Sequence, residues 1–261
     1  MKALYIASSG MSAQERNVEV ISNNIANMRT TGYKKQRAEF QDLLYQSYRR
    51  AGASTSDQGT MVPAGLEIGS GVKTSATPRV MSQGSVSPTE KELDLAIRGE
   101  GYFSIQMPDG STAYTRDGSF ERSAEGEIVT VDGYPVQPGI TLPDGATGVS
   151  ISTDGIVEAF LPGATAPTQM GQLQVARFVN KAGLESAGDN LFRETAASGP
   201  AQIVTPNQDG AGALLQGYLE MSNVNAVTEI ADLIAAQRAY EMNARVVSGA
   251  DQMLQATSQL R

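Results

Sequence analysis

Apolar residues recur at alternating intervals of three and four near both ends of this 261-residue chain, and only an α-helix gathers such positions onto one side. Near the start, Leu4, Ala7, Met11, Gln14, Val18, Ile21, Ile25 and Met28 form a heptad seam with one polar interruption. Thr30-Thr31-Gly32 supplies the stop, because β-branched residues and a glycine able to take positive φ commonly follow a last helical turn, so the helix is predicted to end near residue 29. Toward the other end, Asn225 is a suitable N-cap, and Glu229 lies in the first turn, where negative charge favours the helix dipole. The helix that follows carries two seams. Ala239, Met242, Val246, Gly249, Met253, Ala256 and Leu260 form one, and Ile230, Leu233, Tyr240, Ala244, Val247 and Leu254 the other. Two seams need more than one neighbour, and the small residues in them let helix axes approach closely.

Between the helices the period changes to two, as in Leu93, Leu95 and Ile97 and again in Phe103, Ile105 and Met107. Asp-Gly pairs at Asp109, Asp117, Asp132, Asp144, Asp154 and Asp209 suit tight hairpins, so the middle is predicted to be an antiparallel β domain. Further strands are expected at 128–131, 149–151 and 173–179, with a break at 161–168. Residues 46–72 show little clear period and are read as an extended or hairpin arm. The expected fold is α+β: paired, coiled-coil-like N- and C-terminal helices joined to an extended arm and a central antiparallel β domain. Three domains are expected. Residues 1–33 with 224–261 form the helical one, 34–80 with 205–223 a linker domain containing the arm 46–72, and 81–204 the β domain.

A net charge of -8 has the wrong sign for neutralising a phosphate backbone or an anionic lipid surface, so nucleic acid and membrane are poor partners. The chain has no Cys and no His, which removes thiolate metal sites and the commonest general base. The apolar run at residues 1–7 turns polar at Ser8-Ser9-Gly10, too short for the core of a secretory signal, and no run could span a bilayer; a soluble chain is expected. Gly69-Ser70-Gly71-Val72-Lys73-Thr74 lacks the glycine before lysine that a phosphate loop needs, and Gly99-Glu100-Gly101 reads as a turn or bulge. Glu90, Glu92 and Asp94, and likewise Glu125 and Glu127, read as solvated strand edges. The Asp-Gly pairs lack calcium-loop spacing. No catalytic residue, cofactor or metal is expected. Two clusters stay open in meaning. Lys34, Lys35 and Arg37, with Arg49 and Arg50, are either solvated or make charge contacts between subunits. Asn23, Asn24 and Asn27 either mark a fraying helix end or satisfy buried polar contacts between packed helices.

The segment Ser22-Asn23-Asn24-Ile25-Ala26-Asn27-Met28-Arg29-Thr30-Thr31-Gly32-Tyr33-Lys34 resembles the N-terminal signature of the bacterial flagellar rod and hook proteins. Ser222-Asn223-Val224-Asn225, Leu233-Ile234-Ala235-Ala236-Gln237-Arg238-Ala239-Tyr240-Glu241 and Ala250-Asp251-Gln252-Met253-Leu254 are similar to the other end of that family. In the middle, Asp94-Leu95-Ala96-Ile97-Arg98-Gly99, Tyr114-Thr115-Arg116-Asp117-Gly118-Ser119-Phe120 and residues 126–133 match as well. Length and the arm are most similar to the distal rod members, since hook proteins carry an additional outer domain.

The resemblance implies a self-assembling subunit of a rigid hollow rod in the periplasmic part of the basal body, transmitting motor torque to the hook. It implies export through the flagellar type III apparatus, a rod cap, contacts with proximal rod proteins and the hook protein, and surrounding L and P rings. The terminal helices would form the inner coiled-coil layer. Subunit contacts are expected at Leu4, Met11, Val18, Ile21, Asn23, Asn24, Ile25, Asn27, Asn223, Asn225, Ile234, Tyr240, Met242, Val246, Met253 and Leu260, and rod stiffening at Arg49, Arg50 and Leu66 of the arm. The alternatives are another axial protein of the same flagellum, or a periplasmic carbohydrate-binding or carbohydrate-cleaving β domain.

Overall fold

The three-and-four spacing is realised as α1 (Lys2–Ala26) and α2 (Ala226–Gln259) in a computed structural model that describes residues 2–52, 63–163 and 166–259. α1 stops before Met28, the last member of its seam. Asn27 ends it by bonding locally: Thr30 donates from its backbone N–H to the Asn27 carbonyl at 3.2 Å and from its hydroxyl to Asn27 Oδ1 at 3.1 Å. The chain then turns at Gly32, whose φ is 68° and where a Cβ would lie 2.8 Å from the Asp117 amide nitrogen, so glycine is required twice over. At the start of α2, Asn225 Oδ1 accepts from the N–H groups of Val227 and Thr228 at 3.0 and 3.2 Å, which caps the helix.

The chain divides into two compact units. The first, residues 1–25, 36–78 and 225–261, contains both helices and the strands β1 (Glu39–Asp42), β2 (Gln46–Arg49), β3 (Leu66–Ile68) and β4 (Val72–Ala76). β1 pairs antiparallel with β4, and β2 with β3, so the described part of the arm is a two-stranded ribbon. The middle of the arm, 53–62, lies outside the described residues.

The second unit, residues 26–35 and 79–224, holds the β domain. Its first strands are β5 (Val86–Pro88), β6 (Leu95–Arg98), β7 (Tyr102–Gln106), β8 (Thr112–Thr115), β9 (Phe120–Arg122) and β10 (Ile128–Thr130). They continue with β11 (Gly148–Ile151), β12 (Ile156–Phe160), β13 (Thr168–Gln172), β14 (Val175–Arg177) and β15 (Glu185–Gly188). The last are β16 (Leu191–Arg193), β17 (Gln202–Val204), β18 (Ala213–Gln216) and β19 (Tyr218–Glu220). A six-stranded antiparallel sheet in the order β15-β16-β8-β7-β14-β17 is the centre, and β11-β12-β13 form a smaller sheet. β9 pairs with β10, β18 with β6 and β19 with β5.

One face of the large sheet buries Phe103 and Ile105 with Leu95, Ile97, Phe120 and Val175; Phe103 meets Phe120 edge-on at 5.0 Å. The other face is also covered, by Tyr102, Tyr114, Phe178 and Phe192, with Tyr114 and Phe178 edge-to-face at 4.8 Å. Leu95, Ala96 and Ile97 are therefore buried in succession, and the simple alternation expected of half-buried strands fails there. The strand expected at 173–179 is shorter, because Leu173 leaves the ladder to donate to the Gly155 carbonyl at 2.7 Å. Five of the six Asp-Gly glycines turn with positive φ. Gly118 does not: its Cβ would fall 1.7 Å from the Leu95 carbonyl oxygen, so that pair serves a close backbone crossing.

Candidate assembly surface

Residues 26–35 and 218–224 carry the chain between each helix and the β domain, and both run through a buried charge cluster in the second unit. Glu220, at the end of β19, is 0% exposed. Its carboxylate accepts from Lys34 Nζ, from Arg116 at 3.3 Å and from the Gly84 N–H at 3.0 Å. Its carbonyl accepts from the Gly32 N–H at 2.8 Å. Lys34 also donates to the Ser82 carbonyl at 2.9 Å, and Arg116 donates to the Gly99 carbonyl at 2.6 Å while lying over the Tyr102 ring at 5.2 Å. Burial pushes the Lys34 ammonium below the usual lysine range, and Glu220 opposes the shift. Lys34 is thus an interior residue, not part of a solvated basic patch. Asn223 is committed here too, donating to the carbonyls of Val80 and Ser82 at 2.8 and 3.0 Å and accepting from the Lys35 N–H at 2.8 Å.

In the first unit the helices meet at two polar points. Asn24, 1% exposed, donates to the Gln36 carbonyl at 2.8 Å and to Glu229 Oε2 at 3.0 Å, and accepts from the Gln36 N–H at 2.9 Å. Gly10 lies against Asn243, where an added Cβ would come 3.0 Å from Nδ2. From the first point to the second, one helix runs back from 24 to 10 and the other forward from 229 to 243, so the pair is antiparallel in matched steps of two heptads. Glu229 therefore serves as a buried partner for Asn24 as well as a first-turn acid.

Glu229, Ala236 and Ala250 of α2 are buried, while Ile230, Ile234, Tyr240, Met242, Val246 and Met253 are exposed. On α1, Ile21 is buried and Leu4, Met11, Val18 and Ile25 are half-buried. Asn23 is exposed, Asn27 half-buried in the turn, and Asn225 exposed in its capping role. Arg49, Arg50 and Leu66 are exposed, and Leu260 lies outside the described residues. Most of the exposed large hydrophobic side chains among the described residues belong to this unit. They include Leu44 at 88%, Val227 at 78%, Tyr5, Tyr45 and Tyr48, which carry no periodic signal. An apolar surface of this extent marks an interaction site.

The profile of a "Flagella basal body rod protein" matches residues 4–34, that of a "Flagellar hook protein FlgE/F/G D1 domain" residues 96–159, and that of a "Flagellar basal body rod FlgEFG protein C-terminal" segment residues 215–260. The flagellar basal-body rod protein FlgG of Caulobacter vibrioides is 58% identical over 100% of both chains. The chain belongs to the flagellar basal-body rod family. Members from Agrobacterium fabrum and Bacillus subtilis, both named FlgG, are 51% and 38% identical and cover 97% and 98% of this chain and 97% of their own lengths. Lys34, Arg116 and Glu220 fall one in each of the three rod-family segments, so the buried cluster joins all three.

Proposed function

We infer that this chain is a structural subunit of the distal rod of the flagellar basal body, in the periplasmic space, where copies assemble into a rigid helical tube. The observation that carries this reading is full-length identity of 58% to a rod protein, in a chain whose helical unit leaves Ile230, Ile234, Met242, Val246 and Met253 uncovered. A heterologous contact that repeats without closing builds such a tube. In this reading α1 and α2 pair as a coiled coil in the inner layer, and Val18, Ile234, Tyr240, Met242, Val246 and Met253 meet neighbouring copies. Leu4, Met11 and Ile25, half-buried like Val18, join these subunit contacts, Ile21 is buried within the chain, and Arg49, Arg50 and Leu66 stiffen the rod through the arm. The helical domain takes 1–33 with 224–261, the linker domain 34–80 with 205–223, and the β domain 81–204. The neighbours are proximal rod proteins, the hook protein, the rod or hook cap, the L and P rings and the type III export apparatus. Torque transmission needs many simultaneous contacts and no catalytic step.

Electron microscopy of basal bodies from cells lacking the chain tests this. Basal bodies truncated below the hook, restored by the full-length chain, are the expected result; complete rods in the deletion strain would refute it.

A further inference from the structure

The second unit receives the chain at residue 26, releases it at 35, takes it back at 79 and releases it for the last time at 224. Its first and last stretches lie side by side. The Gly32 N–H donates to the Glu220 carbonyl at 2.8 Å, the Asn223 N–H to the Tyr33 carbonyl at 3.4 Å, and the Lys35 N–H to Asn223 Oδ1 at 2.8 Å. Residue numbers rise together along the two stretches, so they run parallel. The pair is also tied inward. The Glu220 carboxylate accepts from Arg116 and the Gly84 N–H, and Asn223 Nδ2 donates to the carbonyls of Val80 and Ser82 at 2.8 and 3.0 Å.

That direction decides how the pair meets a load. The chain arrives from α1 at the residue-32 end of one stretch and departs for α2 at the residue-223 end of the other. In a parallel pair these are opposite ends, so a pull that draws α1 away from α2 slides one stretch along the other and strains all their bonds at once. An antiparallel pair would present both at the same end, where bonds open one after another. Bonds strained together must fail together, which raises the barrier that governs forced unfolding.

We propose that stretches 32–35 and 220–223 form a shear clamp that keeps the β domain closed when its two helices are drawn apart, with Asn223, bonded to Tyr33, Lys35, Val80 and Ser82, as the residue that shares the load. The source of the load rests on the rod reading, in which other copies grip α1 and α2; the mechanics of the clamp do not. The test holds single full-length molecules at one constant force in two geometries. In the first, handles are fused to the two chain ends, which loads the pair in shear. In the second, one handle moves to R37C, the exposed Arg37 lying just beyond the residue-35 end. Both stretches are then pulled from the same end, and the same bonds open singly. The chain has no cysteine of its own, so that attachment is selective. The β domain is expected to unfold about tenfold more slowly in the first geometry than in the second. Asn223→Ala, which removes three of the bonds to its side chain, speeds the end-pulled step about tenfold and closes the gap. Equal rates for the unaltered clamp in the two geometries overturn the proposal, as does a gap that survives Asn223→Ala. If that variant does not fold, the comparison of geometries decides alone. Failure of the rod reading looks different: complete rods form in cells lacking the chain, while the isolated molecule still resists shear.

Discussion

Glu220 is a carboxylate removed from water and held between two cations, and the loss of one member of such a set leaves an uncompensated buried charge. Glu220→Ala should cost about 3–5 kcal/mol in urea unfolding followed by circular dichroism, because Lys34 and Arg116 then face each other without an anion. Lys34→Met should cost less, since Arg116 still serves Glu220; equal losses for the two variants would refute this ranking. Tyr102 supplies a pH signature. Burial pushes its phenol up to about 12, so the unfolded chain loses this proton near pH 10 while the folded chain keeps it. The folded state binds the extra proton, and stability falls as pH rises from about 10 to 12, by roughly 2–3 kcal/mol. Tyr102→Phe should flatten that decline. None of this is legible in sequence. Lys34 stands beside Lys35 in a basic run, and the carboxylate that takes it inside lies 186 residues away.

Both helices are legible because their period extends over many turns, and the cap at Asn225 is legible because its bonds are local. The asparagine cluster divides. Asn24 satisfies a buried contact between helices, whereas Asn27 bonds locally and ends α1. Asn24→Ala strips the Gln36 N–H and the buried Glu229 of a partner, at about 1–3 kcal/mol. Hydrogen exchange should quicken in the last turns of α1 and the first turn of α2 and stay unchanged in β7; uniform quickening would mean that the bond holds no local structure. The strands are less legible. Several have three residues, too few to show a period, and the inner strands of the central sheet, such as β7 and β8, are covered on both faces, which removes the polar partner from the alternation. Gly118 looks like another hairpin glycine in sequence, and only the Leu95 carbonyl beside it reveals the crossing.

At the scale of the chain, the division into two units predicts two responses to truncation. Removing residues 226–261 should leave the β-domain circular dichroism and the near-ultraviolet signal of Tyr102 and Tyr114 in place while abolishing assembly in sedimentation. Collapse of the β signal would show that the second unit depends on α2. The family was readable from the sequence through the resemblance at both ends, which the rod-family profiles over residues 4–34 and 215–260 match. The cluster that joins residues 34, 116 and 220 has a temporal consequence as well. A chain made from its N-terminus holds Lys34 and Arg116 in water until residue 220 has been synthesised, so a product that ends before it cannot complete this interior. The second unit thus closes its interior only when its last strand arrives, and the first strands made wait for β19.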